Sequence, residues 1–109
     1  MASIVMSKEA ERDLERIGDY IAKQFKSPNT ALSTIHKIKV GIEKLESSPL
    51  IGMPLSAVIS VDTNYRFLGC GIYLAFYRYE NDSVLIDRIL HGRQDYVSIL
   101  LGNAVEEDK

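Results

Sequence analysis

Apolar residues recur through the first half of the chain at steps of three and four. Ala10, Leu14, Ile17, Ile21 and Phe25 make one series, and Ala31, Ile35, Ile38, Ile42 and Leu45 a second. Each series is the signature of a single helical face turned toward a core. Ser7 stands where an N-cap is needed for the first helix, with Glu9 and Glu11 in its opening turn near the free N–H groups, and Lys23 and Lys26 toward its end. Ser27-Pro28 repeats the start signal, proline being tolerated at the first helical position. The short gap between the two series predicts an antiparallel helical hairpin. Ahead of it, the brief run Ile4-Val5-Met6 predicts a first strand.

Ser47-Ser48-Pro49 and Gly52-Met53-Pro54 end the helical period and predict a surface loop. Residues 55–63 are expected to be loop or edge strand, with Ala57, Ile59 and Val61 in alternation but no turn to fix a partner. From Tyr65 the period changes to two. Tyr65–Leu68, a Gly69-Cys70-Gly71 turn, Ile72–Tyr79, a polar Glu80-Asn81-Asp82 turn and Val84–Leu90 predict three strands of a meander. Both faces of the strand from Ile72 to Tyr79 are apolar, so one face should cover the hairpin. The other needs a separate cover: the short helix expected at Tyr96–Leu101, a second copy of the chain, or a partner. The expected fold is α+β, a helical hairpin packed on a mostly antiparallel four-stranded sheet, with a short C-terminal helix. It forms one domain over residues 1–102, followed by a loose acidic tail at 103–109.

Composition narrows the chemistry. A chain of 109 residues suffices for one modest core. Its apolar runs are strand-length, so neither a membrane span nor a signal segment is expected, and the expected location is the cytoplasm. Cys70 is the only cysteine and His36 and His91 the only histidines, so no disulfide is expected, and no metal or other cofactor. The net charge is -2, and the four cations between residues 56 and 102 are all arginines: Arg66, Arg78, Arg88 and Arg93. Such guanidinium groups suit specific planar contacts rather than a diffuse field. Arg78 and Arg88 also have a structural reading, pairing with Glu80, Asp82 or Asp87, and Tyr73, Tyr77 and Tyr79 one as cross-strand packing. His91 beside Gly92 reads as a hydrogen-bonded strand end and His36 as a surface residue. Arg93 and Tyr96 fall on a loop, where function concentrates.

The triplet Phe76-Tyr77-Arg78, the acidic turn, Arg88 inside a strand, and Leu90-His91-Gly92-Arg93 followed by Asp95-Tyr96 resemble the C-terminal half of RelE/ParE-family toxins. The predicted order of elements extends the resemblance over most of the chain, and its motifs lean toward the ParE side, whose members include plasmid stabilization proteins. The resemblance implies a toxin of a bacterial type II toxin–antitoxin pair that causes growth arrest and is neutralised by a cognate antitoxin. It also implies a homodimer or a toxin–antitoxin hetero-oligomer.

Two mechanisms follow from the resemblance. ParE-type members bind DNA gyrase and poison it, whereas RelE-type members cut mRNA on the ribosome. A nuclease needs a base, an acid and cations on the phosphate. The family's early strand cation falls where this chain has Gly71-Ile72-Tyr73, and no lysine lies between Lys44 and Lys109. A reduced nuclease site would rest on Arg66, Arg88, His91 and Arg93, with Tyr96 beside them. The favoured expectation is a non-enzymatic gyrase inhibitor whose target-binding residues are Arg93, Tyr96, Val97 and Leu100. A ribosome-dependent endonuclease and an inactive relative serving only as an interaction module are the alternatives.

Overall fold

The computed structural model describes residues 1–102. The acidic tail expected at 103–109 lies outside the described residues. Strand β1 (Ser3–Met6) leads into helix α1 (Lys8–Phe25), and α2 (Pro28–Glu43) runs on into a short 3-10 turn, Lys44–Glu46. Ser7 caps α1, its Oγ accepting from the Ala10 N–H at 2.9 Å, and Ser27 caps α2, accepting from the Thr30 N–H at 3.2 Å. Lys26 joins the helices in a left-handed conformation, φ 49°. Strand β2 (Met53–Pro54) and a 3-10 turn (Leu55–Ala57) precede β3 (Arg66–Cys70), β4 (Tyr73–Glu80), β5 (Ser83–His91) and helix α3 (Tyr96–Leu101).

The sheet has five strands in the order β1-β5-β4-β3-β2, all antiparallel except the pair β1–β5. This corrects the expected count of four. The extra strand is β2, whose register is only Met53 on Phe67 and Pro54 on Arg66. Pairing stops there because proline has no N–H for a ladder and the chain then curls. The alternating residues 57–61 therefore form no strand. Val58 and Ile59 donate their N–H groups to the Leu55 carbonyl, which turns Leu55 into the sheet with no exposed surface.

The first hairpin turn also differs from expectation. Gly69 and Cys70 belong to β3, and Cys70 pairs with Tyr73 across a two-residue turn of Gly71 and Ile72. Only Gly71 supplies the positive φ, 67°, that such a turn requires at its first position. The second hairpin closes through Asn81 and Asp82, φ 52° and 60°, residue types that tolerate this region.

The main core lies between the hairpin and one sheet face. Ala10, Ile21, Ile38, Ile42 and Leu45 pack there against Tyr73, Ala75, Tyr77, Ile86 and Ile89. A smaller cluster on the opposite face joins Leu55, Phe76 and Leu90, covered by Tyr65, Tyr96 and Leu100. The expected C-terminal helix thus does cover the second face. In β5, Phe76 pairs with Arg88 while Tyr77 pairs with Ile86, so Asp87 is the extra residue of a bulge. The bulge explains how Ile86 and Ile89, three apart in a strand, both reach the helical side.

Candidate functional site

Six of the seven candidate residues lie in the last part of β5, the loop after it and α3, and Arg66 opens β3; their side chains lie in three separate settings. Arg88 is engaged from α1. Its Nε and Nη2 donate to the Asp13 carboxylate at 2.8 and 2.9 Å, and Asp13 Oδ2 also accepts the Ile89 N–H at 2.9 Å. Asp13 is 3% exposed, the only buried charged residue among the described residues. The bidentate bond to Asp13 raises the Arg88 guanidinium above its ordinary range, so Arg88 stays charged. The pairing expected from neighbours in the sheet is therefore replaced by one with a helix. Because β1 pairs β5 only as far as Ile86, the Ile89 N–H has no strand partner, and Asp13 supplies the acceptor.

Arg66 donates from Nη1 to the carbonyls of Gly52 at 2.6 Å and Leu50 at 3.3 Å, tying the loop before β2 to β3. The buried Tyr77 hydroxyl holds the same loop, donating to the Pro49 carbonyl at 2.7 Å and accepting the Gly52 N–H at 3.0 Å. Burial pushes the Tyr77 phenol up. Arg78 pairs with Asp87 at 2.7 Å and Glu80 at 3.3 Å, matching its structural reading.

His91 ends β5 on the helical side, edge-on to Tyr73 at 5.6 Å between ring centroids. Its Nδ1 accepts the Arg93 N–H at 3.0 Å, while the His91 N–H donates to Gln94 Oε1 at 2.8 Å. These bonds shape the loop and leave the Arg93 side chain exposed, with no ion pair or side-chain hydrogen bond among the described residues. Asp95 caps α3, its carboxylate accepting from the Ser98 N–H and hydroxyl. Tyr96 lies on Phe76 at 5.1 Å, and Leu100 packs into the same cluster, so these two half-buried residues hold α3 down. Val97 is half-buried and Ile99 more exposed. His36 is exposed on α2.

Cys70 is buried between β3 and α2, and desolvation raises its thiol pKa, the opposite of what a nucleophile needs. Among the described residues no group of His, Cys, Asp and Glu is arranged to hold a metal ion. No described helix is long and apolar enough to cross a membrane. Asp13 is the residue that sequence reasoning passed over. A signal was present: it lies three residues after Ala10 and four before Ile17, a charge set in the apolar stripe.

Comparison with solved structures gives the class. The fold is similar to that of a chain of the chromosomal ParDE TA system from P. aeruginosa, with a TM-score of 0.71 at 22% identity, over 84% of this chain and 96% of that one. It is also similar to a chain of the RelBE2 toxin-antitoxin complex from Mycobacterium tuberculosis, with a TM-score of 0.54 at 23% identity over 83% and 96% of the two chains. YafQ from E. coli gives 0.50 at 16% identity, over 84% and 93%. No curated protein matches the sequence. The fold is therefore RelE/ParE-like. The family profile described as "ParE toxin of type II toxin-antitoxin system, parDE" matches residues 4–96, and the chain belongs to that family.

Proposed function

We propose that this chain acts in the cytoplasm as a toxin that binds and poisons DNA gyrase without chemistry of its own, and that a cognate antitoxin restrains it. The observation that carries the gyrase reading is the disposition of the arginines. Arg66, Arg78 and Arg88 spend their guanidinium groups on internal carbonyls and carboxylates, which leaves Arg93 as the one of the four with no partner among the described residues. Cleavage of an RNA phosphodiester needs several cations and an acid–base pair converging on one phosphate. A protein target needs less: an arginine anchor beside an ordered apolar element, and Arg93 with α3 provides that.

Within the expected set of target-binding residues the roles divide. Arg93 makes the direct contact, with Val97 and the exposed Ile99 beside it, while Tyr96 and Leu100 set the angle of α3 on the sheet. Inducing the wild-type chain should arrest growth with filamentation and DNA-damage signalling before translation falls. Arg93→Ala should abolish that arrest while the purified variant melts as the wild type does. Arrest that persists undiminished in Arg93→Ala would remove Arg93 from the target surface.

A further inference from the structure

The loop that presents Arg93 is tied largely through one residue. His91 donates its backbone N–H to Gln94 Oε1 at 2.8 Å and accepts the Gln94 N–H on its carbonyl at 3.0 Å, while its Nδ1 accepts the Arg93 N–H at 3.0 Å. On either side, the Gly92 N–H reaches the Ile72 carbonyl at 2.9 Å, and the Tyr96 N–H reaches the Gln94 carbonyl at 2.8 Å where α3 begins. The backbone pairs in this set are open to any residue that has an N–H. Two of the bonds need a particular side chain, Gln94 Oε1 and His91 Nδ1, and the second holds the Arg93 backbone directly.

A side-chain acceptor bonded to the N–H two residues on is the arrangement of an Asx-turn, made here by an imidazole instead of Asn or Asp. That exchange has a chemical consequence. An imidazole nitrogen accepts only while it is unprotonated, so the bond from Arg93 requires a neutral ring with its proton on Nε2. Protonation turns Nδ1 into a donor facing another donor, and the tie nearest Arg93 becomes a repulsion. The ring is otherwise held edge-on by Tyr73, with centroids 5.6 Å apart. The charged and titratable groups that line the same recess are Asp13, Arg16 and Tyr20 from α1, Lys37 from α2, Cys70 from β3 and Tyr73 from β4. Asp13 commits its carboxylate to Arg88 and the Ile89 N–H, so a charged ring meets no uncommitted carboxylate among these residues.

We propose that His91 is the positioning residue of the Arg93 surface: with Nδ1 unprotonated it fixes the loop that offers Arg93 to the target, and its protonation releases that loop. The inference rests on the reading of Arg93 as the target anchor, and adds what holds the anchor and which change of charge lets it go. Arg93-dependent activity therefore falls as the pH drops through the range in which imidazoles gain charge, about 8 to 5. Losing one such bond shifts the loop equilibrium by roughly three- to tenfold, and apparent affinity for the target falls with the population that presents Arg93.

Two variants separate positioning from bulk. His91→Phe keeps a ring against Tyr73 and removes the acceptor, whereas His91→Asn restores an acceptor that does not titrate. DNA cleavage by purified gyrase with the purified chain at about pH 8 should drop roughly three- to tenfold in His91→Phe and stay near wild type in His91→Asn. On going to about pH 6 the wild type should lose activity relative to His91→Asn, a ratio in which the pH dependence of gyrase itself cancels. Nuclear magnetic resonance of the chain alone needs no target. The His91 ring-nitrogen shifts should show the proton on Nε2, and the Arg93 amide should move with the charging of His91 and stay fixed in His91→Asn. Melting curves check folding, and if His91→Phe does not fold, the wild-type ratio and spectra decide without it. His91→Phe as active as the wild type, a ratio that is flat with pH, or an Arg93 amide indifferent to the charge on His91 would each overturn the proposal while leaving the gyrase reading intact. A wild type that promotes no cleavage at any pH would overturn the gyrase reading and the target half of the proposal, and the spectra would still decide whether His91 holds the loop.

Discussion

Replacing Asp13 by alanine removes three hydrogen bonds at once, two from Arg88 and one from the Ile89 N–H. Breaking one side of a buried ion pair costs about 3–5 kcal/mol, because the remaining charge and donors are stranded. The Arg88 side chain is 24% exposed, and water reaching it places the expected loss near the lower end, about 3 kcal/mol. That is a large share of the 5–15 kcal/mol that such a domain typically has. At roughly 4 °C or more per kcal/mol, the melting temperature should fall by about 12 °C or more. Arg88→Ala should cost a comparable amount, since it leaves a carboxylate at 3% exposure with only one donor. The decisive quantity is the coupling. Urea unfolding of wild type, both single variants and Asp13→Ala/Arg88→Ala should show the double variant losing clearly less than the two single losses combined. Additive losses, or a single loss below about 1 kcal/mol, would refute the claim that this pair clamps α1 to the unpaired part of β5.

The loop before β2 gives a second test, since a Cβ at Gly52 would stand 2.5 Å from the Tyr77 hydroxyl and 2.8 Å from the Phe67 carbonyl. Gly52→Ala should therefore lose about 1–3 kcal/mol in thermal or urea unfolding, and a neutral result would contradict the close packing. Alkaline pH gives a third. Tyr73, Tyr77 and Cys70 have folded-state pKa values raised by burial above 10.0 for the phenols and 9.0 for the thiol, so the neutral forms belong to the folded state. Their contribution is complete below those unfolded values and is lost as pH rises through the raised ones. The melting temperature should fall with rising pH in that alkaline range, less steeply in Tyr77→Phe, and a curve that stays flat there would refute the assignment. Tyr96→Ala should lower both stability and toxicity, because it removes the ring stacked on Phe76, whereas Arg93→Ala should leave stability within about 0.5 kcal/mol. Equal melting shifts in the two variants would contradict the division of roles between them.

The helical hairpin was legible because its information is local: two stripes and two serine caps, each with a physical effect within four residues. The meander was legible for the same reason, its turns marked by glycine and by Asn81-Asp82. What escaped depended on partners distant in sequence. Strand β2 exists only because Phe67 and Arg66 offer it an edge, and its two residues carry no period of their own. The alternation of Ala57, Ile59 and Val61 left loop and edge strand both open, and the hydrogen bonds from the Val58 and Ile59 N–H groups to the Leu55 carbonyl select the loop. The turn was placed too early because Gly69 and Gly71 look equally permissive until the pairing of Cys70 with Tyr73 selects Gly71.

At the candidate site the residue types were legible and their engagements were not. Arg78 found the acids anticipated for it, across one strand pair. Arg88 found an acid 75 residues away on α1 that sequence reasoning passed over. That difference bears directly on function, since an arginine committed to Asp13 is withheld from a phosphate.

The most direct test of the central claim is DNA cleavage by purified gyrase in the presence of the purified chain, run beside mRNA cleavage on programmed ribosomes with the same preparation. The gyrase reading predicts accumulation of cleaved DNA that Arg93→Ala abolishes, with the mRNA left intact. Codon-phased cuts in the mRNA with gyrase unaffected would contradict it, and would require Arg66, Arg88, His91 and Arg93 to leave their present partners and converge on RNA.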